Sequence, residues 1–212
     1  MTIIFYSFYI LRTLPKFEDM LGLKFDTPAS WAKIAEQNLQ QLLTDHAFAE
    51  QKASASAVSL IINFSEETEL VQAMTEIAIE ELEHFQRVHE IMVSRGMTLG
   101  IDQNSAYAKH LIKFFPKGKD RKTNLINRLL ISAVIEARSC ERFKVLSENL
   151  EDKELADFFK DLLASEAGHY TLFLGFARKF EDREIVDKKW SAFLDYEAEY
   201  MKLQGKQALV HG

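Results

Sequence analysis

Two short strings in the 212-residue chain carry the residue types of a metal site, Glu81-Leu82-Glu83-His84 and Glu166-Ala167-Gly168-His169. A glutamate and a histidine three apart share one face of a helix, so each pair can grip one ion. One such string is weak evidence, because exposed helix charges and satisfied core histidines produce it by chance. The spacing to two further glutamates is more telling. Glu50 lies 31 residues before Glu81, and Glu136 lies 30 before Glu166. With helix reversals near Phe64 and Leu150, each glutamate stands roughly 15 residues before its turn, and its Glu-x-x-His partner as far after. At the helical rise all four segments then meet at one height, about 22 Å from the turns. Each half of the chain delivers one Glu plus one Glu-x-x-His, an internal duplication of the site.

Burial points the same way. Glu136 follows Leu129-Leu-Ile-Ser-Ala-Val-Ile135, with Leu129, Ala133 and Phe143 on its own face. An ionised carboxylate there costs several kcal/mol unless it is paired. Four glutamates balance two divalent ions, so a metal pair removes the charge problem. Carboxylate and imidazole without thiolate suit iron or manganese better than copper or structural zinc. By analogy with di-iron bundles, Glu81 and Glu166 are expected to bridge, with Glu50 and Glu136 terminal.

Neighbouring residues carry less. His46, one turn before Glu50, is a candidate proton relay or substrate contact, against the plainer reading of a packed histidine. Cys140 reads as a small core residue. Tyr170, Phe85 and Phe173 read as core wall. Ala47, Ala53, Ser54 and Ala57 either leave a substrate cavity or let helices approach closely. Lys109, Lys113, Lys117, Lys119, Arg121 and Lys122 stand against one acid, Asp120, so this segment is a candidate phosphate-binding surface or a solvated loop.

The elements that must position these residues are helices. Eight Gly and three Pro leave few turns, and no strand pattern competes. Thr27-Pro28 predicts the start of a short helix to about Gln40. Long helices follow over about Leu42–Asn63, from a Ser65 cap to Arg95 with Gly96 as its stop, from Asp120 to about Asn149, and from an Asp152 cap to about Phe180. A short helix near Ala106–Phe115 and a last one over about Arg183–Leu203 complete the set. Short turns near Phe64 and Leu150 make two antiparallel hairpins, and the long link from Gly96 to Asp120 joins them. This is an all-α, ferritin-like four-helix bundle with a long crossover and short flanking helices.

The composition, 47% hydrophobic and 27% charged, is ordinary for one soluble domain. A net charge of −6 argues against a general nucleic-acid binder while leaving room for a local basic patch. The single cysteine excludes an internal disulfide and a Cys-ligated iron domain, and fits a cytoplasmic home. The apolar start, Met1 to Leu11, is too short to span a bilayer and has no basic residue before it, as a signal peptide requires. Residues 1–20 are expected to form an apolar arm, with Met20 as an alternative start, and residues 21–212 a single domain.

The chain resembles the MiaE-like hydroxylases, non-haem di-iron enzymes that act on methylthio-isopentenyl-adenosine in tRNA. The resemblance runs from about Leu21 to Phe180. It rests on Leu-Leu-Thr-Asp-His-Ala before Glu50, on the run through Glu81 to Phe85, and on Ser-Glu-Ala-Gly-His-Tyr170. Most specific is Ile135-Glu-Ala-Arg-Ser-Cys-Glu-Arg-Phe143. It implies Glu50, Glu81, His84, Glu136, Glu166 and His169 as ligands of two iron ions, and dioxygen as co-substrate. It also implies hydroxylation of the isopentenyl side chain beside the anticodon. An external electron-donor reductase is expected, since no flavin or nicotinamide motif is present, and no membrane partner. A monomer or homodimer is expected. The alternatives are another ferritin-like protein, a ferroxidase or peroxide reductase, and a non-enzymatic helical adaptor for tRNA or protein.

Overall fold

The structure, a computed structural model, describes residues 21–102, 106–115, 120–204 and 207–210. The apolar arm predicted for residues 1–20, and Lys117 and Lys119 of the basic segment, lie outside them. The described residues form seven helices: α1 (Trp31–Gln37), α2 (Leu39–Asn63), α3 (Thr68–Ser94), α4 (Ala106–Phe114), α5 (Arg121–Asn149), α6 (Lys153–Phe180) and α7 (Arg183–Gln204). No strand occurs among the described residues, and no described helix is long and apolar enough to cross a membrane.

Local chemistry explains three of the helix ends. Asp120 and Asp152 cap α5 and α6 by accepting from Thr123 N and Leu155 N. Gly96, at φ 69°, lets the chain leave α3, with Met97 N returning to Met92 O. Two predicted starts differ. Ser65 caps nothing; it lies in the turn, and α3 begins at Thr68 behind Glu67. The first helix begins at Trp31, not Pro28. Thr27 is drawn off because its N and Oγ1 bond the Glu141 carboxylate at 2.6 and 2.8 Å. The predicted break near Gln41 falls at Asn38, whose side-chain amide bonds the carbonyl of Ile34.

Hairpin α2/α3 turns at Phe64 and hairpin α5/α6 at Leu150, and the two turns lie at opposite ends of the bundle. Arg121, opening α5, bonds Asn63 O and Glu66 beside the first turn. Arg95, closing α3, pairs with Asp152 and Glu154 beside the second. The crossover carrying α4 therefore runs the length of the bundle, which explains its size. Two apolar clusters fill the interior. One, near the Phe64 end, holds Leu60, Leu70, Met74, Leu129 and Ala133. The other, near the Leu150 end, holds Leu43, Val88, Phe143, Phe159 and Leu162. Between them lies a polar layer at mid-height. Helix α7 packs outside, with Trp190 and Phe193 against Tyr170 and Phe114.

Candidate metal centre

Glu50, Glu81, His84, Glu136, Glu166 and His169 all point into that layer, and all are buried. Their ligand atoms form two sets, each within 4.8 Å: Glu50, Glu81, His84 and Glu166, and Glu81, Glu136, Glu166 and His169. Glu81 and Glu166 belong to both. The equal spacing from the turns brings this about: each pair straddles its own turn symmetrically, at the midpoint of a bundle about 29 residues long.

The contacts within the layer are those of atoms aimed at a common point. His169 Nδ1 stands 2.9 Å from Glu81 Oε1, yet neither atom is aligned for a hydrogen bond. Glu166 Oε1 is likewise buried without a hydrogen bond and lies 3.7 Å from His84 Nδ1. Orphaned buried atoms of this kind are costly unless something bonds them. Four carboxylates and two imidazole Nδ1 atoms form a donor set that fits two ions of iron or manganese type.

The ionisation of the layer shows the same stress. Burial, then the charge of Glu81, pushes the Glu50 carboxyl well above its ordinary range. Glu166 is raised likewise by burial and by Glu136. Glu136 is raised to about 7 by burial and Glu81. Burial would raise Glu81 too, but the close imidazoles of His169 and His84 outweigh it and hold this carboxylate low. His169 is raised to about 10, its burial outweighed by Glu80 and Glu81.

Around the layer, His46 Nε2 lies 2.5 Å from Glu50 Oε1, and its ring packs among Phe143, Phe158 and Phe159. Cys140 lies in the core, with Sγ donating to Leu163 O at 3.6 Å. Tyr170 and Phe173 are buried core residues, and Phe85 is partly buried against it. Of the small residues on α2, Ala47 and Ala57 are fully packed, and Ser54 donates to Ala78 O at 2.8 Å, so they bring α2 and α3 together. In the basic segment, Arg121 pairs with Glu66 and Lys122 with Glu181, whereas Lys109 and Lys113 are exposed on α4.

Sequence reasoning missed a second buried polar cluster. Arg138, two residues after Glu136, grips Glu197 of α7 through Nε at 2.9 Å and Nη2 at 3.0 Å. Its Nη1 reaches Glu141 and the carbonyl of Phe25, and Tyr107 of α4 donates to Glu197. Arg142 lies over the Trp31 ring and bonds Leu209 O. This cluster fastens α4, α7 and both flanking segments to α5. The available signal was an arginine pair four apart on α5, close to Glu136 and Glu141.

Four long helices closed around a buried layer of four glutamates and two histidines define a ferritin-like bundle whose core is compatible with a di-iron site. A solved structure, protein 43 with aldehyde deformylating oxygenase activity from Synechococcus, shares this fold. Its TM-score is 0.83 at 30% identity, over 90% of this chain and 95% of that one. The family described as tRNA-(MS[2]IO[6]A)-hydroxylase (MiaE) matches residues 14–212, and the chain belongs to it. The tRNA 2-(methylsulfanyl)-N(6)-isopentenyladenosine(37) hydroxylase of Pseudomonas putida is 37% identical over 176 residues, 83% of each chain. The protein of the same name from Salmonella typhimurium is 29% identical over 208 residues, 75% of this chain and 76% of that one.

Proposed function

We propose that this chain hydroxylates the isopentenyl side chain of methylthio-isopentenyl-adenosine beside the tRNA anticodon, using dioxygen and two iron ions. The single observation that carries the metal part is the pair of four-residue sets sharing Glu81 and Glu166. Glu50 and His84 would complete one ion's ligands, Glu136 and His169 the other's, and the two shared glutamates would bridge. The substrate rests on the family and on the printed names of the two relatives.

When bound, the iron pair supplies the electrons and Lewis acidity that activate dioxygen. The chain's own part is to hold, orient and dry the site. The apolar clusters above and below keep water from the layer. The side chain of Glu80, 45% exposed and bonded to the buried His169, marks one place where solvent comes within one side chain of the site. Inserting one oxygen atom of dioxygen into a C–H bond, with the other leaving as water, consumes two electrons and two protons. A separate reductase must supply the electrons. Cytoplasmic tRNA is the matching substrate pool, with the exposed Lys109 and Lys113 as cations for its phosphates.

Two measurements test this reading. Iron analysis of the purified chain should give about two ions per chain; an adaptor would carry none. Deleting the gene should abolish the hydroxylated nucleoside in tRNA digests analysed by mass spectrometry. Its persistence would refute the tRNA assignment.

A further inference from the structure

The two halves of the site share a register that extends past the six candidate ligands. The residue just before each Glu-x-x-His glutamate is Glu80 on α3 and Ser165 on α6. Each reaches across the bundle to the histidine of the other motif: Glu80 Oε2 lies 3.1 Å from His169 Nε2, and Ser165 Oγ lies 3.4 Å from His84 Nε2. The Ser165 hydroxyl spends its proton on Leu162 O at 3.0 Å, so toward His84 its oxygen is an acceptor. Both Nε2 atoms therefore donate outward, so Nδ1, which faces Glu81 at 2.9 Å in His169 and 3.3 Å in His84, is the nitrogen that would serve an ion. A histidine ligand needs that tautomer, and the partner of its other nitrogen sets it.

We propose that Glu80 and Ser165 are positioning residues that cross-brace the two histidines, and that their difference makes the two metal positions unequal. A carboxylate acceptor makes a stronger bond than a hydroxyl and raises the basicity of the imidazole more. His169 has the carboxylate and His84 the hydroxyl. The terminal glutamates add to the bias. Glu50 Oε1 is engaged by His46 Nε2, 2.5 Å away, whereas the equivalent position before Glu136 is Ser132. The position built on Glu136 and His169 is the tighter of the two. The two-metal reading above underlies this inference.

The test is an anaerobic calorimetric titration of the metal-free full chain with ferrous iron. The wild type should bind in two unequal steps. Glu80→Ala should weaken the tighter step about 10- to 100-fold and leave the other nearly unchanged. Glu80→Gln keeps an acceptor oxygen without the charge, so its tighter step should fall between wild type and Glu80→Ala; a structural defect would not be rescued this way. Ser165→Ala should weaken only the other step, by less than about tenfold. Equal steps in the wild type overturn the proposal, as does Glu80→Ala titrating like wild type or weakening both steps alike. Should Glu80→Ala fail to fold, Glu80→Gln decides, since a tighter step equal to wild type also overturns it. No iron uptake by the wild type would bring down the two-metal reading itself; two ions per chain with Glu80 irrelevant would bring down only the cross-brace.

Discussion

Hairpin α2/α3 and hairpin α5/α6 carry one polar skeleton and support it differently. Four residues after the lone glutamate, Ser54 and Cys140 each donate to a carbonyl three residues before the partner motif, Ala78 O and Leu163 O. The helices end alike, with Asn63 and Asn149 each bonding the carbonyl four residues back. Two residues after the lone glutamate the halves part. Lys52 makes an exposed pair with Asp102 at 2.6 Å, whereas Arg138 is buried in its two-pronged grip on Glu197. What must touch a metal is duplicated; what holds the hairpin in place depends on what packs behind it. Among the described residues, α7 and α4 pack chiefly against the second hairpin.

The largest expected effect tests the duplication. Glu50→Ala and Glu136→Ala should each lose iron and activity together, because each removes the lone glutamate of one half. Iron analysis and single-turnover assays on both variants measure this. If either keeps iron and activity, one lone glutamate is no ligand and the equality of the halves breaks.

The next effect sharpens the contrast in support. Arg138→Met strands Glu197 in the core, and breaking one member of a buried pair costs about 3–5 kcal/mol. Lys52→Met, at the equivalent position, removes an exposed pair worth about 0–1 kcal/mol. Urea unfolding of the two variants should separate them clearly, and equal losses would mean that the buried grip adds nothing.

The sequence displayed the first of these layers and hid the second, for a physical reason. Glu-x-x-His motifs and helix periodicity are local, and the mirror spacing about two turns converts local positions into a common height. The six candidate ligands were therefore readable from residue numbers alone. Arg138 and Glu197 are 59 residues apart, and a charged residue on a helix reads as surface unless its partner is known. Thr27 misled for the same reason, since its cap was lost to Glu141 on a distant helix. Composition likewise could not show that Arg121 and Lys122 are spent on Glu66 and Glu181.

A third effect concerns protons. In the metal-free chain the first hairpin holds the ionised carboxylate, Glu81, while both glutamates of the second are raised. A carboxyl raised in the folded state stabilises fully below its unfolded value, and that stability is lost as pH rises through the folded value, about 7 for Glu136. His169, raised to about 10, stabilises below its unfolded value and loses this as pH climbs toward 10. Glu81 acts oppositely, but only in acid, because its stabilisation disappears as pH falls below its ordinary range. The melting temperature of the chelator-treated chain should therefore fall from about pH 5.5 to 8.5. Iron displaces these protons, so loading should flatten the slope. A flat profile without metal would show that the layer is not stressed by its own charge.

The smallest effect comes from making the halves alike. Cys140→Ser puts in α5 the hydroxyl that α2 has at Ser54. The sulfur now spans to Leu163 O at 3.6 Å, a distance suited to its longer bond and larger radius. A hydroxyl on the same Cβ sits farther from that carbonyl, and the core cluster that holds Cys140 is apolar. The expected loss is about 1 kcal/mol from an under-satisfied buried hydroxyl. The reverse exchange, Ser54→Cys, forces a larger atom between α2 and α3, which approach to 2.8 Å through Ser54 and Ala78 O, and should cost about 1–3 kcal/mol by overpacking. If both exchanges were neutral in thermal unfolding, the two hairpins would have the same interhelix spacing, and the shared register would extend from the ligands into the packing.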